Sequence, residues 1–470
     1  MPEEILAQQV SQTQWDQFTR GVKSSHTSFF DGQGAIFSSR APGRMDVMGG
    51  ISDYSGSVVL EGVIHEAAFS AVQLRHDNRI KLRSAGAAAE GLAEDAELSL
   101  GDIISDGKLI GYSDCNALLT KTPDARWIAY AAGCLYVLLA EEALPLNSAR
   151  GLNILLDSKV PLGAGVSSSA AIEVAVMFAL LAAFKLSLPD MELARLCQVV
   201  ENRVVGAPCG IMDQVSCSLG QENKLLTLKC QPHDLLGYER IPHGWSFVGI
   251  DSHIKHTVGG NKYAAARIGA FMGLKILQVE SRENWGGYLC NIPVDVWQGW
   301  KERIPIQLTG AEFLSHYGEL PDSVTTVNPQ QPYFVRSCTE HPILENDRVR
   351  EFIALMGLAG RDPDEMLMEE AGQLMLESHK SYSDRVNLGS RETDLLVGLG
   401  MQRGPEHGIF GAKITGGGSG GTVVFLCGGE RAESAIQQIL KEYAESSGLS
   451  PRLMTGSSPG AVESGIRSIS

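Results

Sequence analysis

Apolar and polar residues alternate along this chain in both helical and strand patterns. Residues 3–25 and 127–144 carry apolar side chains at helical spacing, and the nearly unbroken apolar run from Val174 to Phe184 predicts a buried helix. Runs of strand composition lie around these helices, at residues 35–39, 58–63, 67–75, 80–83 and 152–160. The first half of the chain therefore predicts an α+β fold.

The second half continues this mixture with less regularity. Strands are predicted at residues 224–228, 245–251 and 422–426, and helices at residues 191–204, 365–384 and 431–446. Because single cores stop growing near about 250–300 residues, a chain of 470 residues predicts two domains with a cleft between them. We place the boundary near Gly220, which gives domains 1–220 and 221–470. Residues from about 281 to 340, rich in Trp, Pro and Gly, form an insertion without assigned elements.

Charge and cysteine content narrow the class of protein. A formal net charge of −16 argues against nucleic acid or an anionic membrane surface as a partner, because either would be repelled at long range. The longest apolar run falls well short of the ~18 residues needed to span a bilayer. The nine cysteines form no Cys-x-x-Cys pair, and the first fourteen residues lack the basic and apolar parts of a secretion signal. We expect free thiols and a cytoplasmic location.

Three distant segments consist of small residues that favour phosphate binding. They are Ala-Pro-Gly-Arg at 41–44, Pro-Leu-Gly-Ala-Gly-Val-Ser-Ser-Ser-Ala-Ala at 161–171 and Thr-Gly-Gly-Gly-Ser-Gly-Gly at 415–421. A loop without bulky side chains lets the backbone approach a polyanion, and a helix that begins after it adds a partial positive charge. These segments predict a nucleotide site, which must be locally positive in so acidic a chain.

The glycines at 416–421 match several motifs, and most of these fail on context. A dinucleotide fingerprint needs a following helix, whereas residues 422–426 have strand composition. A protein-kinase loop would need His-Arg-Asp and Asp-Phe-Gly further along, and a hydrolase elbow at Ser419 would need a later histidine; neither is present. A Walker sequence is also absent. Taken alone, a glycine-rich hairpin between two strands stays open as an alternative.

The order Pro-Gly-Arg, then Pro-x-Gly-x-Gly-x-Ser-Ser-Ser-Ala-Ala, then Thr-Gly-Gly-Gly-x-Gly-Gly resembles the GHMP kinases, the family of galactokinase, homoserine kinase and mevalonate kinase. The nonapeptide Gly-Ala-Pro-Cys-Gly-Ile-Met-Asp-Gln at 206–214 resembles the galactokinase branch, as does Glu-Ser-His at 377–379. The resemblance spans roughly residues 39–426. It implies an N-terminal domain like ribosomal protein S5, a ferredoxin-like α/β C-terminal domain, and an active site in the cleft between them.

The resemblance also implies a site for ATP and Mg²⁺. Its ATP-binding residues would be Trp127, Pro161, Gly163, Ala164, Gly165, Val166, Ser167, Ser168, Ser169, Ala170, Gly417 and Gly418. Ser169 and Glu201 would hold Mg²⁺, which prefers hydroxyl, carboxylate and phosphate oxygens. Without the resemblance, Glu201 is an ordinary helix glutamate, and Trp127 with Tyr130 at helical spacing is simple core.

Two residues fit the demands of phosphoryl transfer, which are to align an acceptor hydroxyl and to neutralise charge. The family's equivalent of Asp213 takes the proton of the anomeric hydroxyl, and its equivalent of Arg44 keeps that aspartate ionised. A guanidinium within ~4–6 Å lowers a carboxyl pKa by ~1–3 units, so we expect an ionised Asp213. Whether it acts as a base or as a positioning charge stays open, and so does a turn aspartate without chemistry.

The sugar site departs from the galactokinase pattern. The resemblance implies a sugar pocket formed by Arg44, Gly50, Ile51, Asp53, Tyr54, Gly210, Asp213 and Tyr263, although Tyr263 is also explained as core. Galactokinases have Gly-Glu-His-Thr-Asp-Tyr where this chain has Gly-Gly-Ile-Ser-Asp-Tyr at 49–54, and their Glu-His pair faces the hydroxymethyl group of galactose. L-Arabinopyranose has the galacto configuration without that group. Residues 46–57 and 301–346, including His-Pro-Ile-Leu-Glu-Asn at 341–346, also resemble the plant L-arabinokinases.

The resemblance therefore implies an ATP-dependent sugar 1-kinase that converts L-arabinose to L-arabinose 1-phosphate, with ADP as the second product. D-Galactose or another galacto-configured sugar is the alternative substrate. A non-catalytic sugar and ATP sensor is a second class, which the intact serines 167–169 and Asp213 disfavour. A kinase for another GHMP substrate, such as mevalonate or homoserine, is disfavoured by Asp53 and the nonapeptide. The expected partners are a small sugar and ATP, and the oligomeric state is not fixed.

Overall fold

A computed structural model of the chain describes residues 3–30, 34–254, 261–362 and 364–469; the side chains of residues 3–11 and 261 lie outside this description. The strands are β1 Ile36–Met48, β2 Val58–Leu74, β3 Arg79–Ala85, β4 Asp95–Ser99, β5 Ile104–Ser105, β6 Lys108–Leu109, β7 Leu152–Ser158, β8 Lys224–Lys229, β9 Asp234–Arg240, β10 Trp245–Asp251, β11 Leu308–Thr309, β12 Pro332–Tyr333, β13 Ile409–Ile414, β14 Thr422–Gly428, β15 Arg452–Met454 and β16 Ile466–Ile469. The α-helices are α1 Glu3–Lys23, α2 Leu100–Ile103, α3 Tyr112–Leu119, α4 Ile128–Ala140, α5 Ser168–Phe184, α6 Asp190–Val199, α7 Met212–Leu219, α8 Asn261–Ser281, α9 Val294–Trp300, α10 Gly310–Tyr317, α11 Val335–Ala359, α12 Glu365–Lys380, α13 Arg391–Arg403, α14 Arg431–Ser447 and α15 Ala461–Ser464.

The larger sheet has the strand order β16–β1–β2–β7–β3–β4, and β8 and β9 extend it from β2. Its pairs are antiparallel except for β3 with β7. Helix α5 packs across β1 and β2. Because α5 is apolar on nearly every side, it is stable only when it is enclosed, and most of its side chains are buried. The predicted buried helix is confirmed.

Strand β1 carries the first small-residue segment through the sheet. A register shift between Pro42 and Arg44 interrupts its ladder with β2. Gly43 lies so close to the Val166 carbonyl and the Val160 side chain that a Cβ would stand 2.6 Å and 2.9 Å from them. The bulge thus brings the sheet backbone against the central glycine loop, and the loop comes to lie beside this strand.

The smaller sheet is antiparallel, with the order β13–β14–β10–β15. Helix α12 packs along β13, and α13 and α14 pack against each other beside the same sheet. Strand β14 is buried along its whole length, as a strand covered on both faces should be. The two sheets confirm the predicted α+β fold.

The insertion that the sequence left unassigned forms short helices around an apolar cluster. Helices α8 and α11 pack side by side, and Trp297, Phe313 and Tyr333 fill the space beside them. A Cβ on Gly273 would overlap the Thr339 side chain, so this glycine permits the close approach of the two helices. The pattern predicted neither helix.

Sheet membership does not change at the predicted boundary near Gly220, which stays a prediction. Strands β8 and β9 pair with β2 in the larger sheet, and the smaller sheet begins only with β10. Strand β16 also returns to the larger sheet and pairs with β1. Short strands with apolar residues look alike whichever sheet they join, so composition alone could not place the division. No helix within the described residues is long and apolar enough to cross a bilayer.

Candidate active site

Arg44 and Asp213, the predicted catalytic pair, lie in direct contact. The Arg44 Nε and Nη2 atoms donate to Oδ1 of Asp213 at 3.0 Å and 2.6 Å, and Nη1 donates to the Gly165 carbonyl at 2.8 Å. Arg44 is 2% exposed, whereas the Asp213 side chain keeps 20% of its surface. The guanidinium is therefore fixed inside the protein, and the carboxylate it holds, on the first turn of α7, stays partly exposed.

Register places further carboxylates around this arginine. Asp46 lies two residues beyond Arg44 on β1, hence on the same face of the sheet, and it pairs across the ladder with Glu61 of β2. Glu61 Oε2 lies 3.2 Å from Arg44 Nε. Burial and the neighbouring Asp46 raise the pKa of Glu61 well above its usual range. Burial opposes the charge on Arg44, but Asp213 and Glu61 together raise the pKa of Arg44 above its ordinary value.

Lys413 of β13 forms the second buried ion pair of the site. Its Nζ lies 2.7 Å from Oδ2 of Asp46, and both side chains are fully buried. The Asp46 backbone N–H also donates to the Thr415 hydroxyl at 2.7 Å. Two cations, Arg44 and Lys413, thus stand among three carboxylates of which Glu61 favours its proton, so the buried charges nearly balance.

The two glycine-rich loops that the sequence predicted to share one site touch through their backbones. A Cβ on Gly416 would overlap the backbone of Gly165, and one on Gly421 would lie 2.7 Å from the Ala164 carbonyl. The Thr422 hydroxyl donates to that same carbonyl at 2.8 Å. The glycines therefore serve close approach, and the loop at 416–421 also forms the turn between β13 and β14.

The central loop ends at the start of the buried helix. Gly163 and Gly165 have φ +73°, and Ser167 has φ +60° immediately before α5 begins at Ser168. The Ser167 hydroxyl is buried without a hydrogen-bond partner. Pro161 and Val166 lie in the loop before α5 and Ala170 lies in its first turn, so the segment presents backbone groups at the N-terminus of a 17-residue helix, as an anion site requires.

Glu201 occupies a buried acidic cluster behind this loop. The predicted helix at 191–204 ends as α6 at Val199 and continues as a π-helical turn, Val200–Val205, which carries Glu201 inward. Its carboxyl accepts from the Gln214 amide at 2.7 Å, and the nearby Ser169 hydroxyl favours its ionised form. Burial and the charge of Asp213 raise the pKa of Glu201 to about 7. Oε1 of Glu173, beside it, is buried without a partner.

This donor set fits Mg²⁺. Ser169 and Glu201 offer a hydroxyl and a carboxylate near each other, and the unsatisfied Glu173 oxygen adds negative charge. These hard oxygen donors are those that Mg²⁺ prefers, with the remaining positions left to phosphate oxygens and water. Among the described residues no group of three or more His, Cys, Asp or Glu side chains is arranged to hold a metal without such additional ligands.

Asp53 belongs to the predicted sugar-binding segment, residues 49–54, and its charge interacts with that of Asp213. It lies against Gly210, where any Cβ would overlap the Asp53 carboxylate, and its Oδ1 is buried without a hydrogen-bond partner. Burial and the neighbouring charge of Asp213 raise the pKa of Asp53 to about 6. An unpartnered carboxylate oxygen facing a second carboxylate is suited to a ligand that brings hydroxyl donors.

Aromatic residues and an unpredicted arginine enclose the other side of Asp53. Tyr54 and Tyr263 meet edge to face at 6.0 Å, and the Arg267 guanidinium lies 5.3 Å from the Tyr54 ring centre. Arg267 also donates to both oxygens of Asp322 at 2.9 Å. The sequence offered no signal for Arg267 or Asp322, since an arginine within a helix and an aspartate in a loop are ordinary.

Gly50 and Ile51, where galactokinases carry an acid and an imidazole, are both buried. Ile51 is 2% exposed and packs in the apolar cluster of α8 and α11, with φ +52°. A Cβ on Gly50 would overlap the Tyr382 hydroxyl and the Asp46 carboxylate. Tyr382, Lys413 and Glu61 were not predicted as site residues.

Comparison with known proteins matches two separate segments of the chain to one family. Residues 129–221 match the GHMP kinases N terminal domain, and residues 367–445 match the GHMP kinases C terminal family. A galactokinase of Chloroflexus aggregans is 30% identical over 407 residues, which are 86% of this chain and 87% of that protein. The chain belongs to the galactokinase family of GHMP kinases. Members of the GHMP family use ATP as co-substrate.

Other relatives of this galactokinase-family kinase differ in extent. An L-arabinokinase of Arabidopsis thaliana is 37% identical over 495 residues, which cover 93% of this chain but only 47% of that longer protein. Lactococcus lactis galactokinase complexed with galactose has a TM-score of 0.71 at 22% identity, covering 96% of this chain and 99% of the other. Methanococcus jannaschii mevalonate kinase has a TM-score of 0.52 at 17% identity, and the match covers 90% of this chain and 98% of the other. Both structures share the fold, and the sequence relatives make this a sugar kinase of the galactokinase and L-arabinokinase type.

Some predicted ATP residues of this galactokinase-family kinase have other contacts. The Trp127 indole N–H donates to the Ala93 carbonyl at 2.8 Å, and its ring packs against the large apolar core. Its place at the adenine therefore stays a prediction. Gly418, with φ +74°, lies against Leu388, and Gly417 next to it is half-buried. Their neighbour Gly416 contacts Gly165, so these two glycines lie close to the loop at 161–170.

Proposed function

We propose that this protein transfers the γ-phosphoryl group of ATP to the anomeric hydroxyl of L-arabinose, giving L-arabinose 1-phosphate and ADP. One observation carries the choice of sugar. Residues 50 and 51 are a glycine packed against Tyr382 and an isoleucine that is 2% exposed, so neither offers a polar partner to a hydroxymethyl group on the sugar. Leaving that hydroxyl unpaired costs about 1–3 kcal/mol, and L-arabinopyranose has no such group.

The sugar hydroxyls find donors and acceptors on the other side of the pocket. Asp53 has a buried oxygen without a partner, and it lies near Asp213 and beneath the aromatic pair Tyr54 and Tyr263. We assign Asp53 to the ring hydroxyls, with Gly210 leaving room for its carboxylate. In this arrangement the anomeric hydroxyl points to Asp213.

The chemical step needs one proton acceptor and one fixed positive charge. Asp213 accepts the proton of the anomeric hydroxyl, whose oxygen bonds to the γ-phosphorus while the bond from that phosphorus to the β–γ bridging oxygen breaks and ADP leaves with the electron pair. Arg44 holds the same Asp213 oxygen through two N–H groups. The guanidinium cannot turn away, because it is buried and also donates to Gly165.

The nucleotide is assigned to the loop at 161–170 and its contact with the loop at 416–421. Backbone N–H groups at the start of α5 and the hydroxyls of Ser167, Ser168 and Ser169 face the phosphates in this assignment. Mg²⁺, held by Ser169 and Glu201, would neutralise phosphate charge. Together these groups make a locally positive site in an acidic protein.

The test is a comparison of kcat/KM for L-arabinose and D-galactose with the full chain, measured by ADP release. We expect L-arabinose to be preferred by up to about 10²-fold, because a pocket without polar partners rejects an added hydroxyl only modestly. A higher kcat/KM for D-galactose would contradict the choice of sugar. A protein that binds both ligands without ADP release would instead be a sensor, and Asp213→Asn would then have no turnover to abolish.

A further inference from the structure

Gly50 is a glycine for reasons of space and not of backbone conformation. Its φ lies outside the left-handed region, unlike that of Gly49 at +108°, so the backbone itself would accept a side chain. The space is taken by the Tyr382 hydroxyl and the Asp46 carboxylate, both of which a Cβ would overlap. A residue of the C-terminal half therefore occupies the volume that a side chain at position 50 would fill.

Tyr382 is firmly fixed in that position. It lies on a π-helical turn, Ser381–Arg385, that continues α12, and it is fully buried. Its hydroxyl donates to the Gly416 carbonyl at 2.9 Å, and its ring meets His341 edge to face at 5.3 Å. The Lys413 ammonium lies 5.6 Å from the ring centre. An irregular helical turn that aims one side chain at a ligand loop is typical of functional sites.

Side chains near Tyr382 also hold the backbone of residues 49–54, here called the sugar loop. Together with Tyr382 they form the sugar wall. Oε1 of Glu345 accepts from the Gly49 N–H at 3.2 Å and from the Ser378 hydroxyl. The His341 Nε2 atom lies 3.1 Å from the Gly50 carbonyl. Burial lowers the pKa of His341 to about 4, so the ring is neutral, Nε2 donates to that carbonyl and Nδ1 accepts from the Ser381 hydroxyl at 2.7 Å. The loop therefore cannot retreat from Tyr382 without breaking these bonds.

We propose that Tyr382 is a specificity-determining residue, which replaces the missing side chain at position 50 and closes the sugar pocket where a hydroxymethyl group would extend. This inference rests on the proposed sugar kinase function and deepens it. Because Gly50 has no side chain between Tyr382 and the loop surface, a shorter residue at 382 opens a cavity next to the pocket. In the proposed placement of the sugar, that cavity would adjoin the position that distinguishes D-galactose from L-arabinose.

The first experiment shortens the wall. In Tyr382→Leu, the ratio of kcat/KM for D-galactose to that for L-arabinose should rise by about tenfold or more, since room for one methylene-sized group is worth that much discrimination. The change should arise mainly in KM, because the catalytic pair is untouched. The matched control is Tyr136→Leu. Tyr136 lies in α4, remote from the sugar loop; it is 1% exposed, and its hydroxyl donates to the Ile110 carbonyl at 2.7 Å. It should lose stability without changing the ratio.

A second experiment does not depend on turnover. Gly50→Ala should lower Tm strongly in the wild-type background and less so together with Tyr382→Phe, which removes one of the two groups that the new methyl would overlap, while the Asp46 carboxylate stays in place. Gly398→Ala is the control, because Gly398 has an ordinary φ and nothing within 4 Å of its Cβ position. It should leave activity unchanged and should not lower Tm, because alanine favours a helix interior such as that of α13.

The outcomes separate the two proposals. Wild type that prefers D-galactose contradicts the proposed function, whatever the variants do. Wild type that prefers L-arabinose, with an unchanged sugar ratio in Tyr382→Leu, overturns the role of Tyr382 alone. Additive Tm losses for Gly50→Ala and Tyr382→Phe would overturn it as well, and this holds even if Tyr382→Leu fails to fold.

Discussion

The two ends of the candidate site are built on different principles. At the phosphoryl-transfer end, Arg44 and Asp213 meet through charge and hydrogen bonds, and both side chains lie on elements next to the larger sheet. At the sugar wall, the decisive features are a missing side chain at Gly50 and a tyrosine from the C-terminal half that fills the gap. In the proposed function, charged pairs carry out the phosphoryl transfer, whereas packed volume determines which sugar is accepted.

The largest expected effect comes from the reaction end. Asp213→Asn keeps the shape of the side chain and an oxygen for Arg44 but removes the proton acceptor, so kcat should fall by about 10²–10⁴-fold. The Tm should change little, because the buried Arg44 keeps Glu61 and Gly165 as partners. Steady-state kinetics and a melting curve on the same preparation check this. A kcat within a few-fold of wild type would mean that the reaction needs neither the charge of Asp213 nor its proton acceptance, which leaves a turn aspartate without chemistry.

Behind the wall, the expected loss is one of stability. Lys413→Met leaves the fully buried Asp46 carboxylate without its ion-pair partner, which should lower the free energy of unfolding by about 3–5 kcal/mol. Lys441→Met is the matched control, since Lys441 is 77% exposed and its pair with Glu445 is at the surface; it should change stability by less than about 0.5 kcal/mol. Denaturant unfolding measures both. Equal losses would contradict the idea that the buried pair supports the wall.

Asp53 joins the two ends, and its titration should limit activity in acid. Burial and Asp213 raise the pKa of Asp53 to about 6, so the carboxylate that accepts sugar hydroxyls is present above that pH and is lost as the pH falls through it. We expect kcat/KM for the sugar to decline about tenfold per pH unit below about 6. Asp53→Asn should have a lower kcat/KM and lack this limb. A wild-type profile that stays flat down to about pH 5 would contradict the assignment.

The linkage of the two glycine loops predicts the smallest effect. Thr422→Val keeps the shape of the side chain but removes the hydrogen bond to the Ala164 carbonyl, which should cost about 1 kcal/mol of stability and raise KM for ATP a few-fold. The KM for the sugar should stay the same, which separates a nucleotide effect from a general loss of structure. A change in the KM for the sugar alone would contradict the assignment of this hydrogen bond to the nucleotide site.

Most of the reaction end followed from the sequence. The segments around Arg44, Gly165 and Asp213 are motifs whose residue types serve only a few purposes, and strand β1, helix α5 and helix α7 bring them together. The sugar wall did not follow. Tyr382, Lys413 and Glu345 lie on ordinary helical and strand patterns, and only the tertiary packing of α11, α12 and β13 brings them to the loop at 49–54. The sheet to which β8, β9 and β16 belong could not be read from the sequence for the same reason, since pairing partners of short strands are decided by tertiary contacts.

The backbone contact between Ala164–Gly165 and the loop at 416–421 also constrains motion. No flexible side chains separate the two strands of chain there, so they cannot slide apart without losing the Thr422 hydrogen bond and the fit of Gly416. Any relative motion of the two halves that keeps this backbone contact must therefore be a rotation about it.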